Sequence, residues 1–346
     1  MKGFPVPLFP LCPIPLRESL AREDSSATFF QTPAWHRLAA AHFNRDRATE
    51  MAPLLFEFAR GGETVQACLP LLRDRRWGRD RYFSPFGTYT ALLCPDTLEA
   101  AERAHIEARL TGLNLHLAGS PFTRNPLFAG GAEAAKRART PSRTQVIDLT
   151  PEHAESPTRD WENDPRRRLR IARENGVSAR ASAGSEADWD AYYNLYLKSL
   201  RRWGAGATSG YPRALFDDIR DAIGANTEAR GGTGGPSIKL WLAEHEGKAA
   251  AGYIAFYHNN HACIWHGAAD QDYFKLGATQ LLYHDMIADA ARRGFTVFDM
   301  MGSAGLAPLE AFKASMGART VEYDSFLNRA GLVGLIAGWR ERLRRR

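Results

Sequence analysis

One order of secondary structure, β-β-β-α-β-α-β, is readable twice along this chain, and few folds tolerate that. In the second copy the signals are strong. Apolar runs at 238–245 and 249–258 flank Glu246-Gly247, and a third run at 261–267 follows Asn259-Asn260, so tight turns join three antiparallel strands. A helix at 277–293, a strand from Phe295, a short helix around Lys313 and a strand at 320–327 complete it. In the first copy Leu54, Phe56 and Phe58 alternate, Gly61-Gly62 turns the chain into 65–72, and 81–86 is a third strand. Pro95 opens a helix stopped by Gly112, Leu113, Leu115 and Leu117 form a strand, a short helix is expected near 131–139, and a strand at 143–149 closes the copy. At 346 residues the chain exceeds the usual single core. Two similar consecutive domains follow, of α/β (α+β) class, each a mixed, mainly antiparallel sheet flanked by helices.

The boundaries come from breaks in pattern. Residues 1–27 are a Pro-rich extended arm, 28–150 the first domain and 151–164, with Pro151 and Pro157, a linker. The second domain, 165–328, begins with three helices. Asp164 caps the first, which carries Arg166, Arg170 and Arg173 on one face beside Leu169 and Ala172. Ser185 and Asp188 start the next, whose stripe of Trp189, Tyr192, Tyr193, Tyr196, Leu200 and Trp203 reads as core rather than as a base-stacking platform. Pro212 starts the third. Residues 224–236 are a Gly-rich insertion, and 329–346 form an amphipathic basic helix that can rest on a docked surface or on anionic lipid.

Composition narrows function only slightly. A net charge of +6 favours polyanionic partners weakly. Cys12, Cys68, Cys94 and Cys263 have neither disulfide-framework nor zinc spacing, which suits a reducing, cytoplasmic setting. The N-terminal segment lacks the features of a signal peptide, and no apolar run approaches ~18 residues. His258, His261 and His266 crowd one turn, but regular alternation sends His261 and His266 to opposite faces, so no metal is expected. No G-x-S-x-G elbow is present.

The stretch 295–317, FTVFDMMGSAGLAPLEAFKASMG, concentrates the unusual residues. It reads as a strand covered on both faces, a Gly-broken loop and a short helix with Pro308 in its first turn and Gly317 at its end. Asp299 is the one charge in the strand, and a buried carboxylate needs a partner or a task. It can act as a base, orient an amine, or pair with a Lys or Arg in the core. Spacing alone leaves Lys313 open between a reaction centre and the surface of a helix that packs through Leu309, Phe312 and Met316.

The element order is that of GNAT-type acyltransferases, and the doubled form resembles the FemAB/FemX family and the BioF2-like acetyltransferase-domain proteins. The resemblance spans about 28–328. It is carried by PRRRLRIARENGV at 165–177, by 268–282, and by Phe298-Asp299 followed by Gly305-Leu306 and Phe312-Lys313. It implies two tandem GNAT-like domains with the active site in the second, and transfer of an aminoacyl group from aminoacyl-tRNA to an amine on a peptidoglycan precursor or peptide-like acceptor in cell-wall biogenesis. It puts Phe312 and Lys313 at the reaction centre, with Asp299 in support. Lys313 would stabilise the oxyanion of the tetrahedral intermediate. Arg166, Arg168, Arg170, Tyr273, Lys275, Gly277 and Ala278 are the substrate-binding candidates. CoA-dependent relatives carry Q/R-x-x-G-x-G/A before a helix N-terminus. In QDYFKLGAT only Gly277-Ala278 fits the end of that pattern, which favours aminoacyl-tRNA over acyl-CoA as co-substrate, with no other cofactor. An acyl-CoA-dependent enzyme of polysaccharide, lipid or natural-product modification, and a non-catalytic module binding tRNA or envelope precursors, are the alternatives.

Overall fold

The computed structural model describes residues 10–42, 48–76, 78–85, 88–128, 138–204, 210–225 and 235–328. The expected helix near 131–139 lies mostly outside them, as do the C-terminal helix at 329–346 and most of the 224–236 insertion. The chain divides into two compact units, one of residues up to 142 together with those from 322 on, the other of 143–321.

The first unit holds helices α1 (Ile14–Glu23), α2 (Pro33–His42) and α3 (Ala100–Thr111), strands β1 (Thr49–Met51), β2 (Leu54–Arg60), β3 (Glu63–Leu69), β4 (Leu72–Arg76), β5 (Arg79–Phe83) and β6 (Leu115–Ala118), and the start of β7 (Ala138–Asp148). β4 pairs antiparallel with β1 and β5, and β5 pairs parallel with β6. β2 and β3 form a hairpin sheet of their own. The run expected as one strand at 65–72 is therefore two. Pro70 stands between them and has no N–H to give a ladder. The arm 1–27 is corrected as well, because α1 occupies part of it. Its buried Arg17 donates to the carbonyls of Gln31 at 2.8 Å and Thr32 at 3.0 Å.

The second unit holds α4 (Asn163–Glu174), β8 (Ser178–Ala181), α5 (Glu186–Trp203), α6 (Arg213–Ala225), β9 (Ser237–His245), β10 (Lys248–His258), β11 (His261–Ala269), α7 (Ala278–Arg292), β12 (Val297–Asp299), α8 (Ala307–Ser315) and the start of β13 (Arg319–Asn328). Its sheet runs β8-β9-β10-β11-β12-β7. Only β11 and β12 are parallel, because α7 carries the chain across between them. Leu281, Leu282, Met286 and Ile287 of α7 pack against Trp241, Ile264 and Phe298. Trp189, Tyr192 and Tyr196 of α5 are fully buried, as core residues should be, whereas Trp203 at its end stays 38% exposed.

Residues 151–164 are not a spacer. His153 Nδ1 accepts from Thr150 N at 3.1 Å, which leaves Nε2–H to donate to Asp160 at 2.9 Å. Trp161 is 4% exposed, and Glu162 N donates to Ser315 O at 2.8 Å. The segment is stapled to the end of α8. Its two prolines signal a bend in the chain, and the contacts that tie it down are non-local.

Candidate active site

The site grows from the point where two strands part. β12 pairs with β11 for three residues, the last pair being Cys263 with Asp299. There β12 stops, while β11 runs on to Ala269. Just past the parting the register of β11 against β10 slips, so that Ala255 faces Ile264 and Ile254 faces His266, leaving Trp265 as the extra residue of a bulge. Bulges of this kind re-aim a strand beside functional sites.

Asp299 is fully buried and fully engaged. Its Oδ1 accepts from Thr144 Oγ1 at 2.6 Å and from the amide of Met301 at 2.8 Å, and its Oδ2 accepts from His261 Nε2 at 3.1 Å. The partners are thus a hydroxyl, an amide and an imidazole rather than the Lys or Arg ion pair considered from the sequence. The carboxylate folds the next loop back on itself. Met301 and Ala304 take φ of 59° and 50°, conformations that cost a non-glycine residue roughly 1–2 kcal/mol each. β7 holds the loop from its other side. Ser303 Oγ donates to Gln145 Oε1 at 2.7 Å, and Gln145 Nε2 donates to Glu310 O at 2.9 Å.

α8 is turned in an unexpected sense. Leu306 and Leu309 are 58% and 37% exposed, while Lys313 is 4% exposed. The alternative in which Leu309 packs inward and Lys313 lies on the surface is excluded. Lys313 Nζ donates to the carbonyls of Met301 at 2.8 Å and Gly302 at 3.1 Å. An ammonium has three donors, and the third meets no partner among the described residues. Burial pulls the Lys313 pKa down from 10.5 to about 8, outweighing the opposing attraction of Asp299. Phe312 packs edge-on against Tyr283, with ring centroids 6.0 Å apart.

Stability should follow this titration with a definite sign. Below about pH 8 the folded chain buries a charge. Between there and pH 10.5 the unfolded chain binds more protons, so stability rises with pH. Relative to Lys313→Met, the wild type should gain up to about 3 kcal/mol across that window. Paired urea titrations at pH 7.5 and 10 read the difference directly, and an unchanged gap would mean the amine does not titrate as a buried group.

The other candidates occupy α4 and the turn before α7. Arg166 donates inward to the carbonyls of Trp161 and Arg159, both at 2.8 Å. Arg168 pairs with Asp164 at 3.0 Å, and Arg170 with Glu174 at 3.6 Å. Residues 271–276 form a turn of 3-10 helix in which Tyr273 is half-buried near His245 and Lys275 is exposed. Gly277 takes φ +71° and opens α7 ahead of the buried Ala278. A Cβ on Gly277 would lie 2.2 Å from Arg168 O, so the close approach of α4 requires glycine there. Lys313, Phe312 and Asp299 therefore form one group, and Arg168 and Gly277 touch in another. Thr144, Gln145 and His261 were missed. His261 was weighed only as a metal ligand, and Thr144 is 155 residues from Asp299. Among the described residues no group of three His, Cys, Asp or Glu side chains is arranged to hold a metal.

Residues 160–314 match the acetyltransferase (GNAT) domain family, a span that contains Asp299, Phe312 and Lys313. FemX is similar in structure with a TM-score of 0.65 and 11% identity, over 92% of this chain and 96% of that one. The C-terminal domain of a protein from Agrobacterium fabrum assigned as a lysylphosphatidylglycerol synthetase has a TM-score of 0.55 and 13% identity over 93% of each chain. A conserved protein of unknown function from Bacteroides thetaiotaomicron has a TM-score of 0.53 and 10% identity, over 92% of this chain and 99% of its own. No curated protein matches the sequence. Likeness over nearly the whole length extends to both units, and within this FemX-like fold residues 160–314 are a GNAT acetyltransferase domain, the part of the chain that carries Asp299, Phe312 and Lys313.

Proposed function

We propose that the protein forms an amide by moving an aminoacyl group from aminoacyl-tRNA to an amine acceptor, a peptidoglycan precursor or a peptide-like small molecule. The observation that carries this reading is the buried ammonium of Lys313, held by two carbonyls with one donor unclaimed, beside the parting of β11 and β12. The acceptor amine attacks the ester carbonyl of the donor, and a C–N bond forms as the carbonyl oxygen takes the charge. The third Lys313 N–H stabilises that oxyanion. Collapse breaks the ester C–O bond, and the proton lost by the amine ends on the departing ribose hydroxyl. Asp299 is a positioning residue, setting the loop whose carbonyls orient Lys313.

The tRNA donor is supported by the turn at 271–277. It lacks the earlier glycine of a CoA cradle, and the carbonyl of Arg168 packs against Gly277 at the start of α7. Gly277-Ala278 at the N-terminus of a 15-residue helix is the feature that favours acyl-CoA as a second reading. A thermal-shift series separates them, since a true donor stabilises the fold by mass action. At about 100 times its Kd it should contribute about 2.7 kcal/mol. Non-hydrolysable aminoacyl-tRNA should raise Tm and CoA thioesters should not. The reverse result, together with mass-spectrometric detection of product from CoA thioesters alone, removes the tRNA assignment.

A further inference from the structure

The large apolar side chains that remain exposed among the described residues include Trp203 and Phe274, at 38% and 47%. They come from different elements, the end of α5 and the turn before α7, and one cation joins them. The guanidinium of Arg202 lies 5.8 Å from the ring of Trp203 and 4.9 Å from that of Phe274. The order is aromatic, guanidinium, aromatic, on the surface.

Beside this platform opens a cleft of about 370 Å³ lined by Lys198, Arg201, Arg202, Asp270, Gln271 and Asp272. Its charge is not balanced. Asp270, the buried acid of the floor, is used up: Oδ2 takes Lys198 Nζ at 2.5 Å and Oδ1 takes the amide of Asp272 at 3.2 Å. Arg202 spends one N–H on Ala269 O at 2.8 Å. Arg201 is exposed and has no hydrogen bond or ion pair among the described residues. The cleft thus carries three cations against two carboxylates, Asp270 engaged by Lys198 and Asp272 exposed, with flat, exposed rings at its edge.

We infer that this cleft and platform bind a single-stranded nucleic acid, the arginines taking phosphates and the rings of Phe274 and Trp203 taking an unstacked base. Planar stacking beside a phosphate contact is how single strands are held without sequence readout. A surface arginine helix alone needs no exposed aromatic partner across a cleft, and a buried core needs no free guanidinium. The inference rests on the tRNA reading of the reaction, because the 3′ end of the donor is single-stranded, but it is made from residues that take no part in the chemistry. An adenine nucleotide offers the same base-plus-phosphate chemistry, so CoA is the competing source.

The test uses the full chain and a short single-stranded RNA ending in CCA, followed by fluorescence anisotropy across a salt series, with CoA as a competitor. Phe274→Ala should weaken RNA binding roughly ten-fold or more. Arg201→Glu should weaken it and reduce the salt slope by about one. Both positions are exposed, and circular dichroism checks that the variants fold. Affinity unchanged in both folded variants, or no RNA binding at low salt, overturns the site. Displacement of the RNA by CoA at equal concentration, with both variants losing CoA, overturns the nucleic-acid assignment. Transfer from charged tRNA with undiminished RNA affinity in both variants defeats the site and leaves the reaction standing. RNA affinity that falls in the variants, in a protein that accepts only CoA thioesters as donors, supports the site and defeats the donor assignment.

Discussion

Lys313→Ala should reduce amide formation by about 100- to 1000-fold, the loss typical of removing one oxyanion donor. The mechanism demands an effect in kcat, since the third N–H is used only when charge develops on the carbonyl oxygen. The folded pKa of about 8 adds a second signature. The ammonium is the working form, so the rate should fall as pH rises through about 8, and that limb should be missing from whatever residual rate Lys313→Ala retains. Product counted by mass spectrometry from a charged tRNA pool gives both readouts. A variant as fast as the wild type would remove Lys313 from the mechanism. The protein itself should survive the change. Taking away a buried charge relieves a desolvation cost, and the carbonyl of the exposed Gly302 can turn to water.

Gly277→Ala should be the most damaging small substitution outside the site. Two penalties coincide. An L side chain at φ +71° pays roughly 1–2 kcal/mol of left-handed strain. Its Cβ would also stand 2.2 Å from Arg168 O and 2.8 Å from Arg168 C, backbone atoms of a helix that cannot yield as a side-chain tip would. Overpacking of this kind costs about 1–3 kcal/mol more. A loss of about 3 kcal/mol should appear as a lower urea midpoint. Stability within about 0.5 kcal/mol of wild type would show that α4 does not press on the start of α7. Gly305→Ala makes a useful control: it shares a positive φ, at 75°, but its Cβ would meet nothing within 4 Å, so it should show the strain alone.

Much of the second unit could be read from local sequence. The β9-β10-β11 meander came out with nearly correct ends because its turns are settled locally. Glu246, Gly247 and Asn259 all take positive φ, and Gly and Asn are the residues that do so readily. The aromatic stripe of α5 announced its buried face through its spacing, with Trp203 at the helix end the exposed exception. Lys313 was found through resemblance. Spacing by itself favoured a surface lysine on a helix packed through Leu309, which proves exposed. What failed to show were the pieces joined over long separations. Gln145 holds both Ser303 and Glu310, more than 150 residues away, and nothing near Gln145 marks it out. α1 looked like an extended arm among its prolines, and what fixes it is tertiary: Leu20 and Ala21 cluster with Leu55, Cys68 and Leu93, and Arg17 is bound by two carbonyls.

Local sequence, then, decided which residues extend, coil and turn, since those choices rest on backbone preferences and on the period of apolar side chains. Tertiary structure decided the working details: that α8 turns its lysine inward, that two carbonyls of a left-handed loop receive it, and that Asp299 is held by Thr144 and His261. The physical reason is desolvation. Whether a charged side chain is left in water or enclosed and given partners depends on what the remote parts of the chain bring around it, and no short window of residues contains that information.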